Sequence, residues 1–194
     1  MCKQDKIRSE IQASINAKRA VLNNPETISI IQQMSDGITA SLKNGGKLLI
    51  CGNGGSASDA MHMVGEIVGR FQKERKAYAA IALNADVATL TAIANDYGYA
   101  QIFARQVEGL MTEKDILLGI STSGNSENVI KAVEKAHEMG GKAYLFSGMT
   151  GGKLGEMCDL SLIVPSDITA HIQEVHECVF HIICGLVEND MVEA

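Results

Sequence analysis

Two stretches of this 194-residue chain concentrate side chains that can move protons or hold a metal ion. In Asp59-Ala60-Met61-His62-Met63-Val64-Gly65-Glu66, four positions separate His62 from Glu66, a spacing that puts imidazole and carboxylate on one face of a helix. Near the C-terminus, His171, Gln173, Glu174, His176 and His181 sit among Ile172, Val175, Val179, Phe180, Ile182 and Ile183. Helical phase brings Gln173, His176 and Phe180 near one stripe, and Gln173, Glu177 and His181 near an adjacent one. Imidazoles and carboxylates suit proton transfer, because burial and neighbours can carry their pKa values toward neutrality. The same groups ligate zinc. Gln173 and His181 lie about 12 Å apart along an ideal helix, so one ion shared by both requires extended side chains or a bend. The plainer alternative is a hydrogen-bonded core histidine at 181 and a solvated helix pair at 62 and 66.

Two loops of small residues suggest what would be bound beside those groups. Gly52-Asn53-Gly54-Gly55-Ser56 and Ser121-Thr122-Ser123-Gly124-Asn125-Ser126 both follow β-rich runs and lead into helical ones. A loop entering a helix offers backbone N–H groups and the positive end of the helix dipole, which together suit phosphate. Ser121, Thr122, Ser123 and Ser126 add hydroxyl donors. Serines and glycines at such a turn can also do no more than cap the helix that follows. The chain has no Gly-Lys-Ser or Gly-Lys-Thr, so the nucleotide-hydrolysing P-loop pattern is missing. A dinucleotide fingerprint is matched only by Gly52, Gly54 and Ala57, which is weak.

The elements that must position these loops follow from pattern. Lys3 to Leu22 and Glu26 to Asn44 show apolar residues at helical spacing, with Pro25 where a first helical turn tolerates its missing N–H. After them, β-rich runs alternate with amphipathic segments. The strands are expected at Lys47 to Cys51, Ala77 to Leu83, Asp115 to Ile120, Lys142 to Phe146 and Leu160 to Val164. The helices are expected at Ser56 to Phe71, Val87 to Asn95, Ile102 to Met111, Ser126 to Met139 and Thr169 to Glu188. Such alternation implies a parallel sheet covered by helices, and the unbroken apolar runs at 47–51 and 115–120 imply strands buried on both faces. In such a sheet, ligands bind beyond the carboxyl ends of the strands, near the switch in strand order. Both loops lie on that edge.

Composition narrows the partners. With 17 basic and 23 acidic side chains the net charge is −6, and only 4% of residues are aromatic, which argues against a basic, stacking face for nucleic acid. Local donors, not global charge, would hold a phosphate. The five cysteines contain no CxxC pair, and the opening Met1-Cys2-Lys3-Gln4-Asp5-Lys6 is unlike a signal peptide, so free thiols in a reducing cytoplasm are expected. No apolar run approaches the roughly 18 residues a membrane span needs.

Several segments together resemble a known family. GNGGSASDAMH, GEIVGRF, AIANDYGY, LLGISTSGNS and IQEVHECVFHI are similar to the phosphoheptose (sedoheptulose 7-phosphate) isomerases of the sugar isomerase (SIS) fold, and the resemblance spans essentially the whole chain. It implies an α/β three-layer sandwich with a five-stranded parallel sheet of flavodoxin-like (SIS) type, preceded by two N-terminal helices. Residues 1–194 would form a single SIS domain, the first 45 residues contributing to oligomer packing. The resemblance implies conversion of sedoheptulose 7-phosphate to glycero-manno-heptose 7-phosphate, the first step toward nucleotide-activated heptose for lipopolysaccharide, capsule or another cell-surface glycan. It also implies a cytoplasmic homotetramer with active sites at subunit contacts and one zinc ion per subunit. Substrate would meet Asn53, Gly54, Gly55, Ser56, Glu66, Asn95, Asp96, Ser121, Thr122, Ser123, Ser126 and Gln173. The metal positions would be His62, Glu66, Gln173 and His181, and Glu66 and His181 the acid/base pair, with the carbon base open between them. The alternative is a non-catalytic tetrameric SIS adaptor that binds the replication initiator. That adaptor has other residues where this chain has Glu66 and His181. A sugar-phosphate-sensing regulator would need a basic recognition helix, which the first 45 residues lack.

Overall fold

The computed structural model describes residues 2–192. Two long helices come first, α1 (Lys3–Leu22) and α2 (Pro25–Lys43). Asn23 caps the end of α1 and Asn24 the start of α2: the Asn24 side chain accepts the N–H groups of Glu26 and Thr27, and Pro25 takes the first helical position, where no N–H is missed. The chain then runs through β1 (Leu48–Gly52), α3 (Gly55–Val68), β2 (Ala80–Ala82), α4 (Val87–Tyr97) and a single 3-10 turn at Tyr99–Gln101. It continues through α5 (Ala104–Leu110), β3 (Ile116–Ser121), α6 (Glu127–Glu138), β4 (Lys142–Gly148), α7 (Gly152–Met157), β5 (Leu160–Val164) and α8 (Thr169–Val192).

All five strands are parallel, in the order β2-β1-β3-β4-β5. The sequence moves outward from β1 on both sides, so the switch point lies between β1 and β3, paired through Ile50 and Leu118. Strand alternation sorts the apolar side chains into two cores. Leu48, Ile50, Leu118, Ile120 and Phe146 face α1, α2, α3 and α8, whereas Leu49, Leu117 and Leu145 face α5, α6 and α7. Every residue of β1 and β3 is buried, which is why these strands read as continuous apolar runs. Each buried leucine or isoleucine is worth about 1.5–3 kcal/mol. Asp115, 1% exposed, ties the starts of β1 and β3 by accepting the N–H of Lys47 at 2.8 Å and pairing with its ammonium at 2.6 Å.

Some boundaries depart from the pattern-based expectation. The second strand keeps only Ala80–Ala82 of the expected 77–83, because this edge strand pairs solely with Leu48, Leu49 and Ile50. The third helix stops at Val68, where the chain turns into an irregular segment, and the helix expected from Ile102 begins at Ala104, after the 3-10 turn. Helix α7 went unanticipated, since Gly151, Gly152 and Gly155 lower its helical propensity. The last helix runs beyond Glu188 to Val192.

Candidate active site

The two loops open side by side at the carboxyl ends of β1 and β3. In the second, Ser126 holds the N-cap position of α6, yet its hydroxyl makes no capping bond. It meets the Ser121 hydroxyl instead, Oγ to Oγ 2.9 Å, so the helix's first N–H groups keep no side-chain partner from Ser126. Gly124 closes this turn with φ +65°, and a Cβ there would collide with the Gly151 carbonyl. Ser147 Oγ donates to the Ser121 carbonyl at 2.8 Å, and Gly148 N–H donates to the Thr122 carbonyl at 3.1 Å. Ser123 Oγ accepts the Asn125 N–H at 3.3 Å. The loop is therefore fixed from behind by β4, with Thr122 and Ser123 half-buried.

The first loop is joined to the start of α6. Asn53 and Asn128 exchange amide hydrogen bonds at 2.9 and 2.8 Å, and the Tyr99 hydroxyl donates to Asn53 Oδ1 at 2.9 Å. Gly54 and Gly55 are exposed and Ser56 is buried. The Gln173 amide rests on Gly55, where a Cβ would lie 2.5 Å from Nε2, so this close approach requires glycine. A cavity of about 250 Å³ opens beside Asn53 and Gly54, toward Asn84, Thr91 and Tyr99. Larger hollows, of about 450 and 670 Å³, lie at the amino edge of the sheet and between β2, α4 and α5. They touch neither loop, and the edge at the switch point is where an open α/β sheet binds ligands.

Helices α3 and α8 lie together, and between them the histidines and carboxylates meet. His62 Nε2 stands 3.2 Å from Glu66 Oε1, as the four-residue spacing requires, and His62 Nδ1 stands 3.9 Å from Glu177 Oε1. His181 packs edge-on to His62 with ring centres 5.0 Å apart. Ligand atoms of His62, Glu66 and His181 all lie within 4.8 Å of one another. Two imidazoles and a carboxylate at that separation fit a zinc ion with an open position for a carbonyl or hydroxyl oxygen. Gln173 sits at the other end of its stripe, against Gly55, so in the isolated chain the three groups form the compact cluster. Phe71 covers His181 from one side, beside a shallow cavity of about 390 Å³ that also reaches Ile182 and Gly185.

Asn95 and Asp96 stand exposed on α4 and hydrogen-bond each other at 2.8 Å. Of the two stripes on α8, the one carrying Glu177 and His181 faces the cluster. His176 belongs to the core: it is fully buried, donates from Nε2 to the Ser147 carbonyl at 3.0 Å, and lies beside Phe146. Burial pulls its pKa down to about 4 against the opposing effect of that hydrogen bond, so it stays neutral. Sequence reasoning overlooked Asp59, one turn before His62. Burial first, then the Glu177 carboxylate, push its pKa up to about 6, while His62 pulls the other way. Its Oδ2 is buried without a hydrogen-bond partner. The i to i+3 spacing from Asp59 to His62 was the available signal.

Comparison with known proteins agrees with this geometry. The SIS domain family model matches residues 13–148. A phosphoheptose isomerase of Helicobacter pylori (strain P12) is 49% identical over 184 residues, which cover 95% of each chain. One of Aneurinibacillus thermoaerophilus is 48% identical over 95% of this chain and 93% of its own. The solved structure of a phosphoheptose isomerase from Francisella tularensis superposes with a TM-score of 0.93 at 44% identity, over 97% of this chain and 100% of that one.

Proposed function

From the premise that the chain belongs to the SIS-domain family and, within it, to the phosphoheptose isomerases, we propose that it converts sedoheptulose 7-phosphate to D-glycero-D-manno-heptose 7-phosphate by enediol proton transfer. The observation that carries the chemistry is the convergence of His62, Glu66 and His181 between α3 and α8. Moving the carbonyl from C2 to C1 takes a proton from C1 and returns one to C2, while a proton leaves the C1 hydroxyl and another reaches the C2 oxygen. His181 takes the carbon proton and returns it. Glu66, with one carboxylate oxygen near His62 and a second for substrate, carries the oxygen proton. The phosphate is held by the 121–126 loop: Ser121, Thr122, Ser123 and Ser126 supply hydroxyls and α6 its N-terminal N–H groups. Asn53, Gly54, Gly55 and Ser56 line the sugar's path, with Gln173, Asn95 and Asp96 completing the polar contacts.

His62, Glu66 and His181 would hold one zinc ion per subunit, which would polarise the carbonyl as a Lewis acid, and Gln173, which here rests against Gly55, would join them only through a bend in α8 or from a neighbouring copy. The whole of 1–194 is read as one SIS domain in a homotetramer, residues 1–45 adding packing surface. Two features support that assembly. Ile7, Ile11 and Ile15 form an exposed apolar stripe on α1. Gly55 and Glu66 stand roughly 16 Å apart along α3, a separation that a neighbouring copy could close by bringing its own groups to the loops. The cytoplasm is the compartment that keeps the five free cysteines reduced. No helix among the described residues is long and apolar enough to cross a membrane.

Incubating metal-defined protein with sedoheptulose 7-phosphate and following it by NMR should show a new aldose phosphate. No conversion with or without zinc would sink the reading and favour a non-catalytic adaptor.

A further inference from the structure

The irregular segment 69–79, between α3 and β2, is held by one buried ion pair. Arg75 and Glu188 have side chains 3% and 2% exposed and meet Nε to Oε1 at 3.0 Å. The Glu188 carboxylate also accepts the backbone N–H of Phe71 at 3.0 Å and of Gln72 and Lys73 at 2.8 Å each. Burial pushes this carboxyl up, but the three backbone donors and the guanidinium outweigh it and hold the group below the usual carboxylate range.

Arg75 turns its other donors onto the end of α3. Nη1 reaches the carbonyls of Ile67, Gly69 and Lys76 at 3.0, 3.2 and 3.1 Å, and Nη2 donates to the carbonyl of Glu66 at 2.8 Å. Carbonyls in the last turn of a helix have no partner within it, and a cation there also complements the dipole. The guanidinium is backed by the Tyr78 ring, 4.3 Å away.

Two of these bonds lead to the candidate acid/base pair. One grips Glu66 by its own carbonyl. The other fixes the backbone of Phe71, whose ring stacks on His181 with centres 5.7 Å apart and planes within 17°. Gly185, one turn after His181, leaves room for that ring: a Cβ there would already touch it at 3.4 Å. A buried ion pair is weak evidence for stability alone, since its desolvation offsets most of its attraction. This one joins the backbone beneath Glu66 to the ring lying against His181.

We propose that Arg75 and Glu188 are positioning residues for the isomerisation, aligning Glu66 through its carbonyl and His181 through Phe71. The inference rests on the reading of Glu66 and His181 as the acid/base pair. Phe71→Leu leaves the ion pair intact and keeps an apolar side chain. In the zinc-loaded enzyme it lowers kcat about tenfold with KM within about twofold, as misalignment rather than lost binding predicts. Glu188→Gln removes the charge and lowers kcat further, toward about a hundredfold. In the metal-free protein, Phe71→Leu also moves the imidazole NMR signals of His181 while those of His176, bonded to Ser147, stay in place. A folded Phe71→Leu with wild-type kcat and unmoved His181 signals overturns the proposal. If Glu188→Gln fails to fold, Phe71→Leu decides alone. Glu66→Gln, assayed in parallel, separates the two levels. Full activity there removes the acid/base reading and the positioning role with it, whereas an inactive Glu66→Gln beside a fully active Phe71→Leu removes the positioning role only.

Discussion

Ser126 and Ser121 share a hydrogen bond, Oγ to Oγ 2.9 Å, although Ser126 occupies the N-cap position of α6 and would ordinarily bond that helix's own N–H groups. The hydroxyl is thus turned into the loop and the helix terminus stays open to an anion. Ser126→Ala should raise KM for sedoheptulose 7-phosphate by about tenfold or more, the loss of one charge-assisted hydrogen bond, with a smaller change in kcat. Steady-state kinetics check this. An unchanged KM would mean that the phosphate lies elsewhere.

Glu66 and His181 come from helices more than a hundred residues apart in sequence and converge with His62 within 4.8 Å. Glu66→Gln and His181→Ala should each lower turnover at least about a hundredfold while far-UV circular dichroism stays that of the wild type. Near-wild-type turnover in either variant removes that residue from the mechanism. Solvent proton exchange into substrate at C1, measured on the residual activity, distinguishes the carbon base: it disappears in the variant that lacks it.

The same cluster sets the metal prediction. His62 contributes a ring nitrogen near both Glu66 and His181. His62→Ala should weaken zinc binding by at least about tenfold in a competition titration with a chromophoric chelator, since one of the three clustered groups proposed to hold the ion is gone. Wild-type affinity in that variant would place the ion at other residues.

How much of this was legible in the sequence depends on the range of each interaction. The four-residue step from His62 to Glu66 is local, and helical geometry alone puts the two groups within bonding distance. The Gly- and Ser-rich loops were equally readable, because strand-to-helix alternation places both at one edge of a parallel sheet. The buried runs at β1 and β3 announced their own burial. What escaped depends on tertiary packing. Nothing local relates Arg75 to Glu188, 113 positions away, or Phe71 to His181. His176 and His181 look alike as polar residues in an apolar helix, and only the Ser147 carbonyl and the groove beside α3 tell them apart. The exposed pair Asn95 and Asp96 entered through family resemblance, and their side chains hydrogen-bond each other.

Asp59 offers a test by pH. Its carboxyl, raised to about 6 from an ordinary 3.8 chiefly by burial, binds more protons in the folded than in the unfolded protein between those values. Folding stability therefore falls as pH rises through that window, and the loss is complete above it. Asp59→Asn should remove this loss. In the metal-free protein the variant should be more stable than wild type at neutral pH, by on the order of 1 kcal/mol once solvent screening is discounted, and equal to it below about pH 4. Urea unfolding at the two pH values measures the difference. A variant less stable than wild type at neutral pH would show that the Asp59 charge is compensated.

The stripe on α1 makes the last prediction. Ile7 and Ile11 are 58% and 57% exposed and Ile15 42%, successive residues four apart along one face, while Ala17 and Val21 of the same helix are buried in the core. An isolated exposed isoleucine needs no explanation, but three in register form an apolar strip suited to another copy of the chain. Ile11→Asp puts a charge in the middle of it without disturbing the buried face. Sedimentation velocity should show the wild type as a tetramer and the variant as a smaller species that retains its helical content. Isomerase activity should fall with the assembly, as expected of the proposed site in which the loops of one copy meet the His62 cluster of another. A fully active monomer, in either protein, would mean that one chain builds the whole site and that the strip serves some other contact.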